Sequence, residues 1–240
     1  MVDRGASVGS FGARRRLQRL GRAPPFSSFP REILRELAAE ATGRTARRGT
    51  VLFRVGDGAA AAYVVDRGVV RISAVTRDGR SIVFRLAGPG DTFGLTSLFD
   101  DGLRTAEAAA LTDARVIVVP SRLLLRHVER SPTVASACLR ESAARLRIER
   151  DRRADGLAGD TRARVARVLR DLGAAHGVDV RDGVLIDVPL RHEDLAGLVG
   201  SSRETVTRAL AVLEARGFLR RTGERFVVLS PPRLSSVPTG

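Results

Sequence analysis

Residues 190–219 read LRHEDLAGLVGSSRETVTRALAVLEARGFL, and this stretch decides the fold. It predicts two helices joined by a tight turn. The first carries Leu195, Leu198 and Val199; Gly200-Ser201 breaks it. The second repeats Val206, Ala209, Leu210 and Leu213 at helical spacing, which buries one face. The opposite face begins with Ser202-Arg203-Glu204-Thr205 and adds Thr207 and Arg208. Arg203, Glu204 and Arg208 span an arc of about 140° on a helix of 3.6 residues per turn. Arginine can donate two hydrogen bonds to guanine O6/N7, and glutamate can accept from cytosine N4, so this face suits a DNA major groove. Ser202, Thr205 and Arg191 are candidates for phosphate contacts, which position a protein without reading sequence. The competing reading is an ordinary amphipathic surface helix with solvated charges.

The segment after the second helix favours the DNA-reading face. Phe218-Leu219-Arg220-Arg221, Gly223 and Phe226-Val227-Val228-Leu229 predict two short strands around a turn, a wing behind a helix-turn-helix. Gly-Ser-Ser-Arg-Glu-Thr-Val-Thr-Arg (200–208) strongly resembles the recognition helix of the bacterial cyclic-AMP receptor protein/fumarate-nitrate regulator (CRP/FNR) family. The resemblance implies a homodimeric transcriptional regulator with double-stranded DNA as partner and RNA polymerase as a candidate protein partner.

Composition agrees and narrows the alternatives. The chain has 240 residues, enough for two domains with their own cores. Its formal net charge is +14, which favours a polyanionic partner, and all 41 basic residues are arginine. Cys138 is the one cysteine, so an intrachain disulfide and a cysteine-built zinc or iron-sulfur site are excluded. His127, His176 and His192 are scattered and read as solvated or capping residues, with no metal site expected. No nucleophile-base constellation or phosphate loop occurs, so no catalytic residue is assigned and an enzyme is not expected. No apolar run approaches membrane-spanning length and no secretory signal is visible, so the expectation is a cytoplasmic protein without a membrane partner.

Along the chain, residues 1–25 hold six arginines with Gly and Ser before Pro24-Pro25, and predict a flexible basic tail with at most a helical turn near 14–20. A helix is expected over 30–41. Residues 50–55, 62–65, 69–74, 81–86 and 106–119 are β-branched runs separated by Gly56-Asp57-Gly58, Asp66-Arg67-Gly68, Asp78-Gly79 and Gly88-Pro89-Gly90-Asp91. Many short strands with such turns predict a barrel or jelly roll. Here the family resemblance widens to a cyclic-nucleotide-binding-type β-roll: Leu52-Phe53, Tyr63-Val64-Val65, Gly68-Val69-Val70 and Gly88-Pro89-Gly90-Asp91-Thr92-Phe93-Gly94 carry it. Ser131-Pro132 opens a long helix whose Ala135, Leu139, Ser142 and Leu146 form a seam able to pair two chains. A glycine-bearing hinge is expected at 156–159, then Asp160 as N-cap of a helix over 161–172 and a strand over 183–188. The expected fold is α+β: tail 1–25, β-roll effector domain 26–130, dimerisation helix 131–156, and winged helix-turn-helix 157–240.

The resemblance also implies a sensor site, with departures. Gly94, Arg104 and Thr105 match the family's positions for an anionic phosphate, so a small anionic effector is the candidate ligand. Where the family carries a ribose-binding glutamate, this chain has Leu95; the base-contacting Thr-Ser pair falls on Glu149-Arg150. These changes argue against cyclic AMP and leave another anion, or action without a ligand. Arg104 remains open between an anion-binding group and a solvated loop arginine. A rival of another class is a cyclic-nucleotide-type module acting through protein contacts alone, which would give no reason for the arginine-bearing helix and wing.

Overall fold

The computed structural model describes residues 6–8, 12–79, 81–100, 102–157 and 160–229. Two compact units make up the chain, 1–74 with 86–148 and 75–85 with 149–240. Helices α1 (Ala13–Leu20), α2 (Arg31–Glu40), α3 (Ser121–Arg130) and α4 (Pro132–Leu157) accompany nine strands. These are β1 (Ala6–Val8), β2 (Thr42–Ala46), β3 (Val51–Phe53), β4 (Ala61–Arg67), β5 (Val70–Val75), β6 (Ser81–Ala87), β7 (Thr92–Phe93), β8 (Glu107–Ala110) and β9 (Ala114–Pro120). They form two sheets, β1-β2-β9-β4-β7 and β3-β8-β5-β6.

Strand β4 shows why the roll holds. Side chains alternate across a strand, and here both faces are apolar. Ala62 and Val64 join Ile117 and Val119 of β9 in a cluster with Leu37, Leu124, Val134 and Cys138. Tyr63 and Val65 turn to the other side and pack with Phe53, Val70, Phe93 and Val116. The central strands are thus covered by helices on one side and by the second sheet on the other. Each fully buried large aliphatic side chain contributes about 1.5–3 kcal/mol.

Pro132 opens α4, where its missing N–H costs nothing. Val134, Ala137 and Cys138 on its inner face are buried, while Leu139 and Leu146 are 70% and 72% exposed. Burial lifts the Cys138 thiol to about 11, with Glu141 adding to the effect. Arg145 pairs with Glu141 at 2.6 Å and donates to the Thr92 carbonyl at 2.6 Å.

In the second unit, Asp160 accepts from the Ala163 amide at 2.9 Å and caps α5 (Thr161–His176). There follow β10 (Gly177–Val180), β11 (Gly183–Ile186), α6 (His192–Val199), α7 (Arg203–Ala215), β12 (Leu219–Thr222) and β13 (Arg225–Val228). The strands pair antiparallel in the order β10-β11-β13-β12, so the predicted two-stranded wing is half of a four-stranded sheet. Helix α5 packs against both α6 and α7. Among the described residues no helix is long and apolar enough to cross a membrane.

The basic segment corrects the expectation of a flexible tail. Residues 1–5 and 9–11 lie outside the described residues, but from Gly12 onward the chain is built into the first unit. Leu20, Ala23 and Phe26 are fully buried. Arg16 donates to the Ala38 carbonyl at 2.7 Å. Asp66, its side chain wholly buried, receives Arg19 at 2.6 Å, Arg15 at 3.2 Å and Arg115 at 2.5 Å. A carboxylate more than forty residues downstream supplies the counter-charge. The expected hinge also shifts: Gly156 and Leu157 belong to α4, and 158–159 lie outside the described residues.

Asp66→Asn keeps the shape and removes the charge. Hydrogen bonds to charged groups contribute about 1.5–3 kcal/mol each, so the variant is expected to lose about 1–3 kcal/mol in urea unfolding after allowance for the exposed arginines. Amide exchange should accelerate across 13–20. Unchanged stability with unchanged exchange would show that α1 is held by its apolar residues alone.

Candidate nucleic-acid interface and sensor site

The turn between α6 and α7 is set by one glycine. Gly200 ends α6 at φ 68°, a left-handed conformation that a side chain makes costly, and donates back to the Ala196 carbonyl. The chain then turns sharply, and Ser202 caps α7 by accepting from the Thr205 amide at 3.2 Å. Val206, Ala209, Leu210 and Leu213 are buried. Arg203, Glu204 and Arg208 are exposed, as are Ser202 and Arg191, with Thr205 half-buried. Ser202, Arg203, Glu204, Thr205 and Arg208 thus lie on α7 or at its N-cap, and Arg191 is the N-cap of α6.

Each of the three arginines has a polar neighbour. Arg203 Nη1 lies 3.9 Å from Glu193, Arg208 reaches Thr205 Oγ1 at 3.3 Å, and Arg191 lies 3.8 Å from Glu224 at the wing turn. The Glu204 carboxyl is held below its ordinary value by its own backbone amide and by the Ser202 hydroxyl, so it is an ionised acceptor at neutral pH. His192, the first residue of α6, was not among the sequence candidates. Its Nδ1 lies 2.8 Å from Thr207 Oγ1 on α7. The signal in the sequence was its place beside Arg191, ahead of the helix-turn-helix.

The sensor residues meet differently from the expectation. Gly94 and Arg104 come together, but inside the roll: Arg104 is 2% exposed. Its Nη1 donates to the Gly94 carbonyl at 2.7 Å and its Nη2 to the Ala61 carbonyl. Its guanidinium carbon sits 4.2 Å from the centre of the Phe53 ring, and Phe53, Tyr63 and Phe93 form a cluster with Tyr63 and Phe93 stacked. Nε is buried without a partner. Burial pulls the guanidinium below its ordinary value, opposed by Tyr63 and Asp57. The open choice between an anion cradle and a solvated loop arginine is thus corrected on its second branch, since Arg104 is not solvated. A Cβ on Gly94 would fall 2.7 Å from Arg104 Nη1, and its φ is +74°. Thr105 is exposed, Leu95 is buried, and Glu149 and Arg150 are exposed on α4. Among the described residues no cluster of His, Cys, Asp or Glu could hold a metal ion.

A β-roll joined through a long helix to a winged helix-turn-helix defines a class of transcriptional regulators. Residues 43–131 match the cyclic nucleotide-binding domain and residues 163–237 the Crp-like helix-turn-helix domain. A CRP-like cAMP-activated global transcriptional regulator of Mycobacterium tuberculosis is 33% identical over 188 residues, 78% of this chain and 84% of the relative. Among solved structures, FixK2 from Bradyrhizobium japonicum superposes with a TM-score of 0.72 at 26% identity, covering 83% of this chain and 98% of that one. The c-di-GMP responsive global regulator CLP of Xanthomonas campestris gives 0.72 at 25% identity, covering 84% and 100%. The chain belongs to the CRP/FNR family of transcriptional regulators. Its domains are those of regulators and not of enzymes.

Arg104→Ala distinguishes an interior strut from an idle ligand group. Stability without any ligand should fall by about 2–3 kcal/mol, because two backbone carbonyls lose charged donors and a void opens. A loss below about 0.5 kcal/mol, the usual size of a surface substitution, would mean the arginine carries no structural role.

Proposed function

We propose that the protein is a homodimeric, sequence-specific DNA-binding transcriptional regulator whose effector is not cyclic AMP. The observation that carries the DNA reading is the face of α7. Arg203, Glu204 and Arg208 are exposed opposite a buried stripe, behind the Gly200 turn and beside a wing. Arg203 and Arg208 donate to guanines and the ionised Glu204 accepts from cytosine. Ser202, Thr205 and Arg191 meet flanking phosphates. The net charge of +14 draws the protein to a polyanion. DNA in the cytoplasm and RNA polymerase are then its partners.

The dimer reading rests on α4. Leu139 and Leu146 stand exposed one heptad apart, with Ala135 and Ser142 completing the seam. Two recognition helices related by a two-fold axis read half-sites one helical turn apart.

The effector reading rests on the roll. Arg104 is buried in the roll and already donates to the Gly94 and Ala61 carbonyls. Leu95 offers no acceptor to a ribose hydroxyl, and an unpaired buried hydroxyl costs about 1–3 kcal/mol. The M. tuberculosis relative is named for cAMP and the X. campestris protein for c-di-GMP, so effectors differ within this family. Another anion, held by Gly94, Arg104 and Thr105, or action without a ligand remains for this chain.

Selection from random duplex DNA should enrich an inverted repeat with G·C pairs at the read positions. Arg203→Ala should then weaken binding by about 1–3 kcal/mol and relax preference at one base pair. Enrichment of no inverted repeat at any salt concentration would refute the reading.

Leu139→Arg combined with Leu146→Arg places charge in the seam and should convert the protein to a monomer by light scattering, with loss of DNA affinity. A wild-type monomer at micromolar concentration that still binds DNA would contradict the dimer.

A further inference from the structure

His192 starts α6 and reaches across to the recognition helix. Its Nδ1 lies 2.8 Å from Thr207 Oγ1, and that hydroxyl donates to the Arg203 carbonyl at 2.8 Å. A hydroxyl has one proton to give. With that proton committed to Arg203, the imidazole must be the donor to Thr207. The neutral ring therefore carries its proton on Nδ1, and Nε2 is the nitrogen that gains or loses one.

Charges of both signs surround this ring. Arg203 and Glu214 act on it from α7 and Arg221 from β12, while Glu193 beside it on α6 lies 3.9 Å from Arg203. Arg221 also donates to the Gly223 carbonyl at the wing turn. Recognition helix, wing and the start of α6 thus converge on one patch holding two guanidinium groups, one imidazole and the carboxylates of Glu193 and Glu214.

We propose that His192 is a phosphate-binding residue of the DNA interface and that it takes up a proton when DNA binds. The proposal rests on α7 being a DNA-reading helix. In the free protein, desolvation, then Arg221 and Arg203, pull the imidazole below its ordinary value, with Glu214 opposing. The ring is therefore neutral at pH 7. A phosphate at this patch offsets both guanidinium charges and offers an acceptor to a proton on Nε2. Both effects favour the imidazolium. The bound value is thus raised above the free one, and binding consumes protons in the interval between them. Affinity rises as pH falls through that interval and levels off below the free value. One site can contribute at most about tenfold per pH unit. His192 is also a positioning residue, because its bond to Thr207 supports the turn of α7 from which Arg203 projects.

The test uses the full chain and a selected inverted-repeat duplex at fixed ionic strength. Dissociation constants are measured at about pH 6, 7 and 8, spanning the ordinary histidine range, for the wild type and His192→Gln. Glutamine can donate to Thr207 but does not titrate. The wild type should tighten several-fold from high to low pH, and the variant, whatever its absolute affinity, should lose that dependence. Calorimetry of the wild type in buffers of different ionisation enthalpy should show uptake of a fraction of a proton, a readout that does not depend on the variant folding. Equal pH slopes in the two proteins, or no proton uptake, would overturn the proposal and leave DNA binding intact. No complex with any duplex at any pH would overturn both.

Discussion

Arg104 spends its donors on the chain itself. From the segment ahead of β8 it bonds to Gly94 just after β7 and to Ala61 on β4, so one guanidinium ties three parts of the roll together. Its backbone is fixed as well, donating to the Asp57 carbonyl and accepting from the Gly56 amide, both at 2.8 Å. The flat face rests on Phe53, inside an aromatic cluster that fills the interior. A charge so placed is costly unless its donors find acceptors; two carbonyls take one bond each, and Nε has no partner. Gly94 follows from the same geometry, since any side chain there would meet the guanidinium. The roll therefore uses, as a structural tie, the arginine that family resemblance assigns to an anion.

The same economy recurs at Asp66. One buried carboxylate gathers arginines from α1 and β9 and turns a basic N-terminal segment into part of the packed unit. Three cations around one anion leave excess positive charge at the partly exposed arginines, where water screens it. The apolar positions of α1 complete the attachment: Leu17 and Leu20 face the cluster that contains Leu37 and Leu124. On α4, by contrast, Leu139 and Leu146 find no cover among the described residues.

Local patterns carried most of the architecture into the sequence. The Gly200 break, the Ser202 cap and the stripe of Val206, Leu210 and Leu213 are each decided by neighbours in the chain, and the two helices formed where the spacing put them. The turn glycines likewise marked the strand ends. Strands β2 and β10 were missed because Thr42–Ala46 and Gly177–Val180 have little apolar alternation and are defined by their partners β9 and β11. The run over 106–119 breaks into β8 and β9, which belong to different sheets. Long-range ion pairs were illegible for a simple reason. Nothing near Arg15 or Arg19 announces Asp66, and nothing near Arg104 announces that its partners are carbonyls of Gly94 and Ala61. The His192–Thr207 bond joins two helices whose relative placement only the folded turn supplies.

Titration of cyclic AMP into extensively dialysed full-length protein, followed by calorimetry and paired with DNA affinity with and without the nucleotide, tests the account at its centre. With Arg104 bonded to two backbone carbonyls and Leu95 where the family resemblance expects an acceptor, at least two contacts are lost. That weakens binding about a hundredfold or more relative to a full set of contacts, at roughly 1.4 kcal/mol per tenfold. The account predicts no heat at micromolar nucleotide and unchanged DNA affinity. Submicromolar binding of cyclic AMP that tightens the DNA complex would contradict it.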